Sequence, residues 1–277
     1  MSNLAITGST GHLGALVATA LADLRPRLVV RDPDRAPAIP GSTVAQASYD
    51  DHDASVAALQ GIDVLFMVSA AESPHRRDEH RTFIGAAAEA GVRHIVYTSI
   101  VGAAPEATFT LGRDHHDAEQ AILGTGIAHT FLRDNFYLDV LPLFADETGV
   151  IRGPAGDGRV AAVARADVAA AATTVLRAPT EHAGTTYELT GPEALTLAEV
   201  ATRAAAILGR PLRFEDESVE AAYASRRAAY DAEDWQLDAW VSTYTAIRDG
   251  EFARLSDDVR ALTGRRPRSL ERTLLGT

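Results

Sequence analysis

The sequence predicts an α/β protein, with a doubly wound parallel sheet followed by a smaller, mostly helical C-terminal lobe. Apolar runs of strand length alternate with segments of helical periodicity through the first half of the chain, and this order is typical of parallel sheets with right-handed crossovers. A run rich in glycine and proline, residues 149–158, then interrupts the pattern. We therefore expect two parts, residues 1–150 and residues 151–277.

Six strands are predicted before this break, and each is a short apolar run. They are Leu4–Thr7, Arg27–Val30, Thr43–Ala47, Val64–Val68, His94–Thr98 and Ala128–Leu132. Most of the segments between them are long enough for a crossover helix. The alternation therefore indicates a series of βα units.

The region after the break is predicted to extend the sheet and then to become mainly helical. Asp167 is placed to cap the N-terminus of a helix, and a strand follows at Thr186–Thr190. The next helix is expected over Leu197–Leu208, because Gly209 follows it as a stop signal.

The composition is that of a globular chain and excludes several classes of function. With 46% hydrophobic and 23% charged residues, the chain can bury a substantial core. A net charge of −12, spread along the chain, argues against nucleic acid as the main partner. The absence of cysteine excludes disulfides, thiolate metal centres and a cysteine nucleophile.

We find no secretory signal and no apolar run of ~20 residues, so we expect a cytoplasmic protein outside the membrane. Whether it forms a homo-oligomer is left open.

A glycine-rich turn is predicted between the first strand and the first helix. It consists of Gly8, Ser9, Thr10, Gly11, His12, Leu13 and Gly14. In this context the first glycine permits a tight turn, the second lets a pyrophosphate approach the backbone, and the third lets the helix lie close to the strand. Backbone N–H groups at the start of the helix then face the phosphates. The turn therefore predicts a Rossmann-type dinucleotide site in which Gly8 to Leu13 contact the cofactor.

The end of the second strand predicts which dinucleotide binds. NAD-binding proteins typically place an acidic residue here for the adenosine ribose, whereas arginine suits the 2′-phosphate of NADP. Arg31 is the first residue beyond the apolar run, and Arg35 could reach the same side after a turn. We therefore expect NADP (NADPH) rather than NAD. Two alternatives stay open: Asp32 binds the ribose of NAD, or both arginines are simply solvated.

Small and polar residues follow three later strands. They are Ser48 and Tyr49, then Val68, Ser69 and Ala70, then Thr98 and Ser99. Ligands of open α/β sheets lie beyond the carboxyl ends of the strands, so these three groups are expected to border the adenine, the ribose and the nicotinamide respectively. For Ser99, a hydroxyl bonded to its own loop is an equal alternative.

These features occur together with longer segments in a fixed order. The segments are GSTGHLG, VVRDPDRA, EAGVRHIVYTS, GIAHTFLRDNFY, TYELTGPEALTLAEVA and LSDDVRALTGRRPRSL. With them the chain resembles the NmrA-like group of atypical short-chain dehydrogenases/reductases over nearly its whole length. Within that group it looks most like the bacterial NAD(P)H:quinone oxidoreductases and triphenylmethane reductases. The resemblance implies a flavin-free hydride donor and a flat aromatic or quinone-like substrate.

The resemblance stops at the catalytic residues. Ordinary short-chain dehydrogenases use Tyr-x-x-x-Lys, in which the lysine lowers the pKa of the tyrosine and holds the nicotinamide ribose. This chain has no lysine, because all 26 residues counted as Lys+Arg are arginine. Leu111 and His115 stand where the tyrosine and the lysine are expected. His115 is therefore a candidate to bind the ribose or to donate a proton, and the alternative is a partly exposed histidine at the start of a helix.

The segment after the sixth strand departs from the family at one position. The resemblance implies that Arg133, Asp134, Asn135 and Tyr137 form the far wall of the nicotinamide pocket, with Asp134 standing where asparagine is usual. Asn135 is a further candidate for cofactor binding, and Tyr137 joins His115 as a candidate catalytic residue. A metal site around His115 is not expected, because adjacent histidines on a helix point ~100° apart.

Together these observations predict an oxidoreductase that uses NADPH to reduce a quinone or a similar conjugated acceptor, with no flavin and no metal. Hydride addition to a quinone gives a delocalised hydroquinone anion, so proximity to the nicotinamide supplies most of the catalysis. Because NmrA-like proteins include binders without activity, the alternative is a redox-sensing regulator that binds NAD(P) without turnover.

Overall fold

The computed structural model describes residues 3–276. Within that range the strands are β1 (Leu4–Thr7), β2 (Arg27–Val30), β3 (Thr43–Gln46), β4 (Val64–Met67), β5 (His94–Ile100), β6 (Ala128–Asp134), β7 (Val150–Gly153), β8 (Arg159–Val160), β9 (Thr185–Leu189), β10 (Leu195–Thr196) and β11 (Arg213–Asp216). The α-helices of the same range are α1 (His12–Ala20), α2 (His52–Leu59), α3 (Arg76–Glu89), α4 (Thr110–Thr125), α5 (Arg165–Arg177), α6 (Leu197–Leu208), α7 (Val219–Ala229), α8 (Asp234–Arg248), α9 (Asp258–Thr263) and α10 (Leu270–Leu275). No helix among these residues has both the length and the apolar character needed to cross a membrane.

The main sheet confirms the predicted α/β class. Within the described residues it has seven strands in the order β3-β2-β1-β4-β5-β6-β9. The pairs from β3 to β5 are parallel, and Ile6 of β1 lies opposite Leu28 of β2 on one side and Phe66 of β4 on the other. The strand order reverses beside β1, because β2 and β4 flank it. Ligands of open α/β sheets bind at such a switch point, beyond the carboxyl ends of the strands.

The described chain forms two compact units. The first comprises the chain up to Ser99 together with Asp114–Arg133 and Val168–Tyr187, and the second comprises Ile100–Arg113, Asp134–Asp167 and the chain from Glu188. The predicted division at residue 150 stays a prediction.

Each unit has its own apolar core. In the first unit, Leu65, Phe83 and Tyr97 are fully buried and belong to one cluster. In the second unit, Ile151 and Phe252 belong to another. Strands β1 and β4 are buried along their whole length, as expected for continuous apolar runs covered on both faces.

Several predicted elements are confirmed at their predicted bounds, namely β1, β2 and α6. The start of α6 is fixed by a capping box, in which Thr196 accepts from the Glu199 N–H and the Glu199 side chain accepts from the Thr196 N–H. Its end is fixed by Gly209, which has a φ of +64°. These are local signals, and they act through the backbone of neighbouring residues.

One prediction in the second half of the chain is wrong, and one strand there was not predicted. The glycine-rich run contains β7, which pairs in parallel with β11. Gly153 is needed there for space, since a Cβ would lie 2.2 Å from Cδ1 of Tyr244. Asp167 is not the N-cap of α5 but lies inside its first turn, where its buried carboxylate accepts a hydrogen bond from the Arg268 N–H at 2.6 Å.

Candidate dinucleotide and active site

The glycine turn directly follows β1, and two of its glycines are required by the fold. Gly8 has a φ of +65°, and a Cβ there would lie 2.8 Å from Cβ of Val68. A Cβ on Gly14 would lie 2.2 Å from the carbonyl oxygen of Gly8. Gly11 differs, because its φ is −98° and an added Cβ would meet only the Gly8 oxygen, at 3.4 Å. The fold does not require glycine at position 11, so its small size can serve a ligand.

The first turn of α1 offers backbone donors for an anion. Gly11 is its N-cap residue, no side chain caps the helix, and the first turn contains no acidic residue. Ser9 is buried, and its Oγ has no hydrogen-bond partner within the described part of the chain. Buried hydroxyls are normally bonded, and helix N-termini attract anions. The turn therefore fits the phosphates of a dinucleotide. Thr10 and His12 are exposed beside it and Leu13 is buried beneath, and their cofactor contacts stay predictions.

The two arginines after β2 differ from Asp32 in their availability to a ligand. Arg31 and Arg35 are exposed, and neither forms an ion pair among residues 3–276. Asp32 instead caps the short turn that follows, because its Oδ1 accepts a hydrogen bond from the Asp34 N–H at 3.1 Å. This geometry favours the arginines over Asp32 as ligands for the adenosine end of a dinucleotide.

The predicted residues after β3 are already engaged within the protein. The Tyr49 hydroxyl donates to the Val68 carbonyl at 2.6 Å and shares a 2.7 Å hydrogen bond with Thr7 Oγ1. Burial raises the pKa of Tyr49 above its ordinary value. The Ser48 hydroxyl donates to the carboxylate of Asp50. The hydroxyl of Tyr49 therefore joins the ends of three strands, and only its ring could border a ligand.

The predicted residues after β4 and near the end of β5 are also hydrogen-bonded within the protein. Thr98 Oγ1 accepts a hydrogen bond from the Ser69 N–H at 2.8 Å. The Ser99 hydroxyl donates at 2.6 Å to Glu119 of α4, which is buried and forms a bidentate pair with Arg133 at 2.8 and 2.6 Å. The alternative prediction for Ser99, a bond to its own loop, is wrong, because an adjacent helix supplies the partner.

His115 is fully engaged through both ring nitrogens. Arg76 Nη2 lies 3.0 Å from His115 Nε2, and the Tyr97 hydroxyl lies 3.1 Å from His115 Nδ1. A guanidinium has only donors, so Nε2 accepts and the proton sits on Nδ1. Burial, and then the charge of Arg76, lowers the pKa of His115 well below its ordinary value. The alternative of a partly exposed histidine is wrong, since His115 is 7% exposed. The geometry gives a neutral positioning residue and does not support proton donation.

Two residues beside His115 were missed by sequence reasoning. Arg76 and His80 lie one turn apart on α3, and each forms a hydrogen bond with the backbone of Ala70. Arg76 Nε donates to the Ala70 carbonyl, and His80 Nε2 accepts from the Ala70 N–H, both at 3.0 Å. Both side chains are buried. Their spacing of four residues was the available signal, because it places them on one helix face.

Tyr137 and Asp134 form a hydrogen-bonded pair in the second unit. The Tyr137 hydroxyl donates to Oδ2 of Asp134 at 2.8 Å, while Oδ1 of Asp134 is buried without a partner in the described chain. Burial raises the pKa of Asp134 to about 8. The carboxyl is therefore neutral at pH 7, and in charge it matches the asparagine that the family resemblance leads one to expect.

Asn135, beside this pair, is bonded to the backbone of its own unit. Its Nδ2 donates to the Phe252 carbonyl at 3.0 Å, and its Oδ1 accepts from the Phe136 N–H at 2.8 Å. Because the amide is buried and both ends are used, the geometry assigns Asn135 to the shape of the chain after β6. Its cofactor contact remains a prediction without geometric support.

The first unit thus contains the glycine turn, both arginines, the predicted residues after β3 and β4, Thr98 and Ser99 of β5, and His115. The second unit contains Asn135 and Tyr137. Among residues 3–276, no group of three or more histidines and carboxylates could hold a metal ion.

Comparison with known proteins agrees with this fold and with NAD(P)H binding. A family model described as NAD(P)H-binding matches residues 8–179. A (4-alkanoyl-5-oxo-2,5-dihydrofuran-3-yl)methyl phosphate reductase of Streptomyces griseus is 36% identical over 94% of this chain and 92% of its own. Quinone oxidoreductase 2 of Escherichia coli is 38% identical over 78% of each chain. The crystal structure of the Escherichia coli NADPH-dependent quinone oxidoreductase QOR2 with NADPH has a TM-score of 0.88 at 32% identity and covers 99% of both chains.

The fold and the glycine turn define a Rossmann-type, NAD(P)H-binding α/β protein. The chain belongs to the NAD(P)H-binding family.

Proposed function

We propose that this protein is an NADPH-dependent reductase that transfers hydride to a quinone or a similar conjugated acceptor without a flavin. The observation that carries the proposal is the turn after β1. It combines a glycine at position 11 that the fold does not need, an unpartnered Ser9 hydroxyl and an uncapped helix N-terminus. Such a turn is suited to the pyrophosphate of a dinucleotide.

Different residues around the turn would bind different parts of the cofactor. The glycine turn would hold the pyrophosphate, and Arg31 and Arg35 would bind the 2′-phosphate by charge-assisted hydrogen bonds. The nicotinamide half would extend over the ends of β4 and β5, on the other side of β1 from β2. Bound NADPH would supply the hydride.

The residues of the chain suit an acceptor that needs little acid catalysis. A chain without lysine has no Tyr-Lys dyad, and His115 is neutral with both ring nitrogens in use. A quinone tolerates this, because its reduced anion is delocalised and can take a proton from solvent. The two relatives named above are a quinone oxidoreductase and a reductase of an unsaturated oxo-dihydrofuran, which supports a conjugated acceptor.

The test follows NADPH absorbance with purified protein and no added flavin. The acceptors are simple quinones, cationic triphenylmethane dyes and a 4-alkanoyl-5-oxo-2,5-dihydrofuran, and Gly11→Val serves as the matched variant without a cofactor site. Consumption of NADPH with at least one acceptor by the wild type alone is the expected result. Tight NADPH binding with no consumption in the whole panel would instead support the alternative, a redox-sensing NAD(P)-binding regulator.

A further inference from the structure

The guanidinium of Arg76 is buried with one of its nitrogens unused. Arg76 is the first residue of α3 and is 3% exposed. Its Nε donates to the Ala70 carbonyl and its Nη2 to Nε2 of His115, both at 3.0 Å. Nη1 has no hydrogen-bond partner within the described residues. The carboxylate paired with it, Asp114, is 3.6 Å from Nη1, beyond hydrogen-bond distance.

This arrangement leaves a buried positive charge incompletely balanced. Both acceptors that Arg76 reaches are neutral, since one is a peptide carbonyl and the other is a neutral imidazole. Burial, and then the Arg76 charge, lowers the pKa of His80 to about 3. A buried charge without a hydrogen-bonded counter-charge is costly, and unpartnered buried donors are rare in native proteins. An oxygen acceptor on a ligand would satisfy Nη1 and offset that cost.

The position of Arg76 relative to the sheet indicates which part of a dinucleotide supplies the oxygen. Ala70, to which Arg76 is anchored, lies three residues beyond the end of β4. The glycine turn follows β1, and Arg31 follows β2 on the far side of β1 from β4. A dinucleotide whose pyrophosphate lies at the turn and whose adenosine lies over β2 must therefore extend its other half over β4.

We infer that Arg76 binds the nicotinamide mononucleotide half of the dinucleotide, with Nη1 donating to a phosphate or ribose oxygen of that half. The inference rests on the proposed cofactor binding and adds a residue to it. His115 then acts as a positioning residue, because it holds Nη2 and so fixes the direction of Nη1. Asp114 forms an ion pair with the same guanidinium, at 3.6 Å from Nη1.

The experiment compares two ligands by equilibrium titration. NADPH contains the nicotinamide half, whereas 2′,5′-ADP carries the adenosine and its 2′-phosphate but lacks that half. Arg76→Met should weaken NADPH by about ten- to hundredfold, the range of a hydrogen bond to a charged group, and leave 2′,5′-ADP within about twofold. Arg76→Lys, which keeps the charge, should lose less. The matched control is Arg77→Met, because Arg77 is half exposed and binds the same Asp114, at 2.6 Å.

Each outcome of the titration decides the inference. Unchanged NADPH affinity in Arg76→Met, or an equal loss of both ligands in Arg76→Met and Arg76→Lys, overturns it. Retained 2′,5′-ADP binding in Arg76→Met also shows that the adenosine half of the site is folded, so a selective loss of NADPH supports the inference directly. If wild type binds neither ligand, the proposed function has failed instead. If Arg76→Met raises KM for the acceptor but leaves the equilibrium affinity for NADPH unchanged, Nη1 serves the acceptor and the inference is wrong.

Discussion

The Tyr137 hydroxyl donates to Oδ2 of Asp134 at 2.8 Å, and this buried carboxyl carries a pKa raised to about 8 by burial. In the unfolded chain an aspartate has a pKa of about 3.9, so between these values the folded state binds a proton that the unfolded state does not. The raised value therefore gives stability that is complete below about pH 4 and is lost as pH rises toward 8, by up to about 1.4 kcal/mol per pH unit.

Asp134→Asn should remove this pH dependence, because an amide accepts the same hydrogen bond and cannot ionise. We expect the gain in melting temperature over wild type to be several degrees larger at pH 8 than at pH 5. Thermal unfolding at the two pH values measures it, with the exposed Asp231→Asn as the control. An equal effect of Asp134→Asn at both pH values would mean that the carboxyl is already ionised in the folded protein.

Gly11→Val should abolish binding of NADPH and NADH while leaving the fold largely intact. The added side chain would fill the space that the pyrophosphate needs, but a Cβ there meets only the Gly8 oxygen, at 3.4 Å. Gly14→Val is the contrasting variant, because its Cβ would lie 2.2 Å from that same oxygen and must distort the turn itself. Titration and thermal unfolding of both variants check the prediction. Unchanged affinity in Gly11→Val would show that the glycine serves only the backbone.

Arg31→Ala should weaken NADPH by about ten- to hundredfold and leave NADH nearly unchanged, because a charge-assisted bond to the 2′-phosphate is worth roughly 1.5 to 3 kcal/mol. The effect should shrink with salt, since Arg31 is exposed. Arg35→Ala should have a smaller effect of the same kind. Affinities at low and moderate salt test the assignment, and equal loss of both dinucleotides would point to Asp32 as the residue that reads the ribose.

His115→Ala should lower the rate with quinones modestly, by less than the ~10⁴-fold upper range of general acid–base catalysis. The variant should also be less stable than wild type, because it leaves Arg76 Nη2 buried without its acceptor. Steady-state rates with saturating NADPH and thermal unfolding provide the two readouts, and the adjacent His116→Ala is the control. A loss greater than 10⁴-fold at intact stability would show that His115 takes part in proton transfer after all.

The features that could be predicted from the sequence depend on local backbone conformation. The glycine turn could be located because Gly8 and Gly14 are demanded by conformation and space, and α6 could be delimited because Thr196 and Gly209 are local caps. Arg76 could not be found in this way. Its partner His115 is 39 positions away, and only folding brings the two together. The strand β7 was hidden for a similar reason, since its glycine makes room for a ring from a distant helix.

Hydride transfer from NADPH to a quinone is tested most directly by a single-turnover reaction. Protein in excess, loaded with NADPH or with NADPH deuterated at the transferred position, is mixed with a quinone in the absence of flavin and oxygen. We expect loss of NADPH absorbance with the formation of one hydroquinone per NADPH, and a slower reaction with the deuterated cofactor. NADPH that binds but persists unchanged with every quinone tested would contradict this expectation.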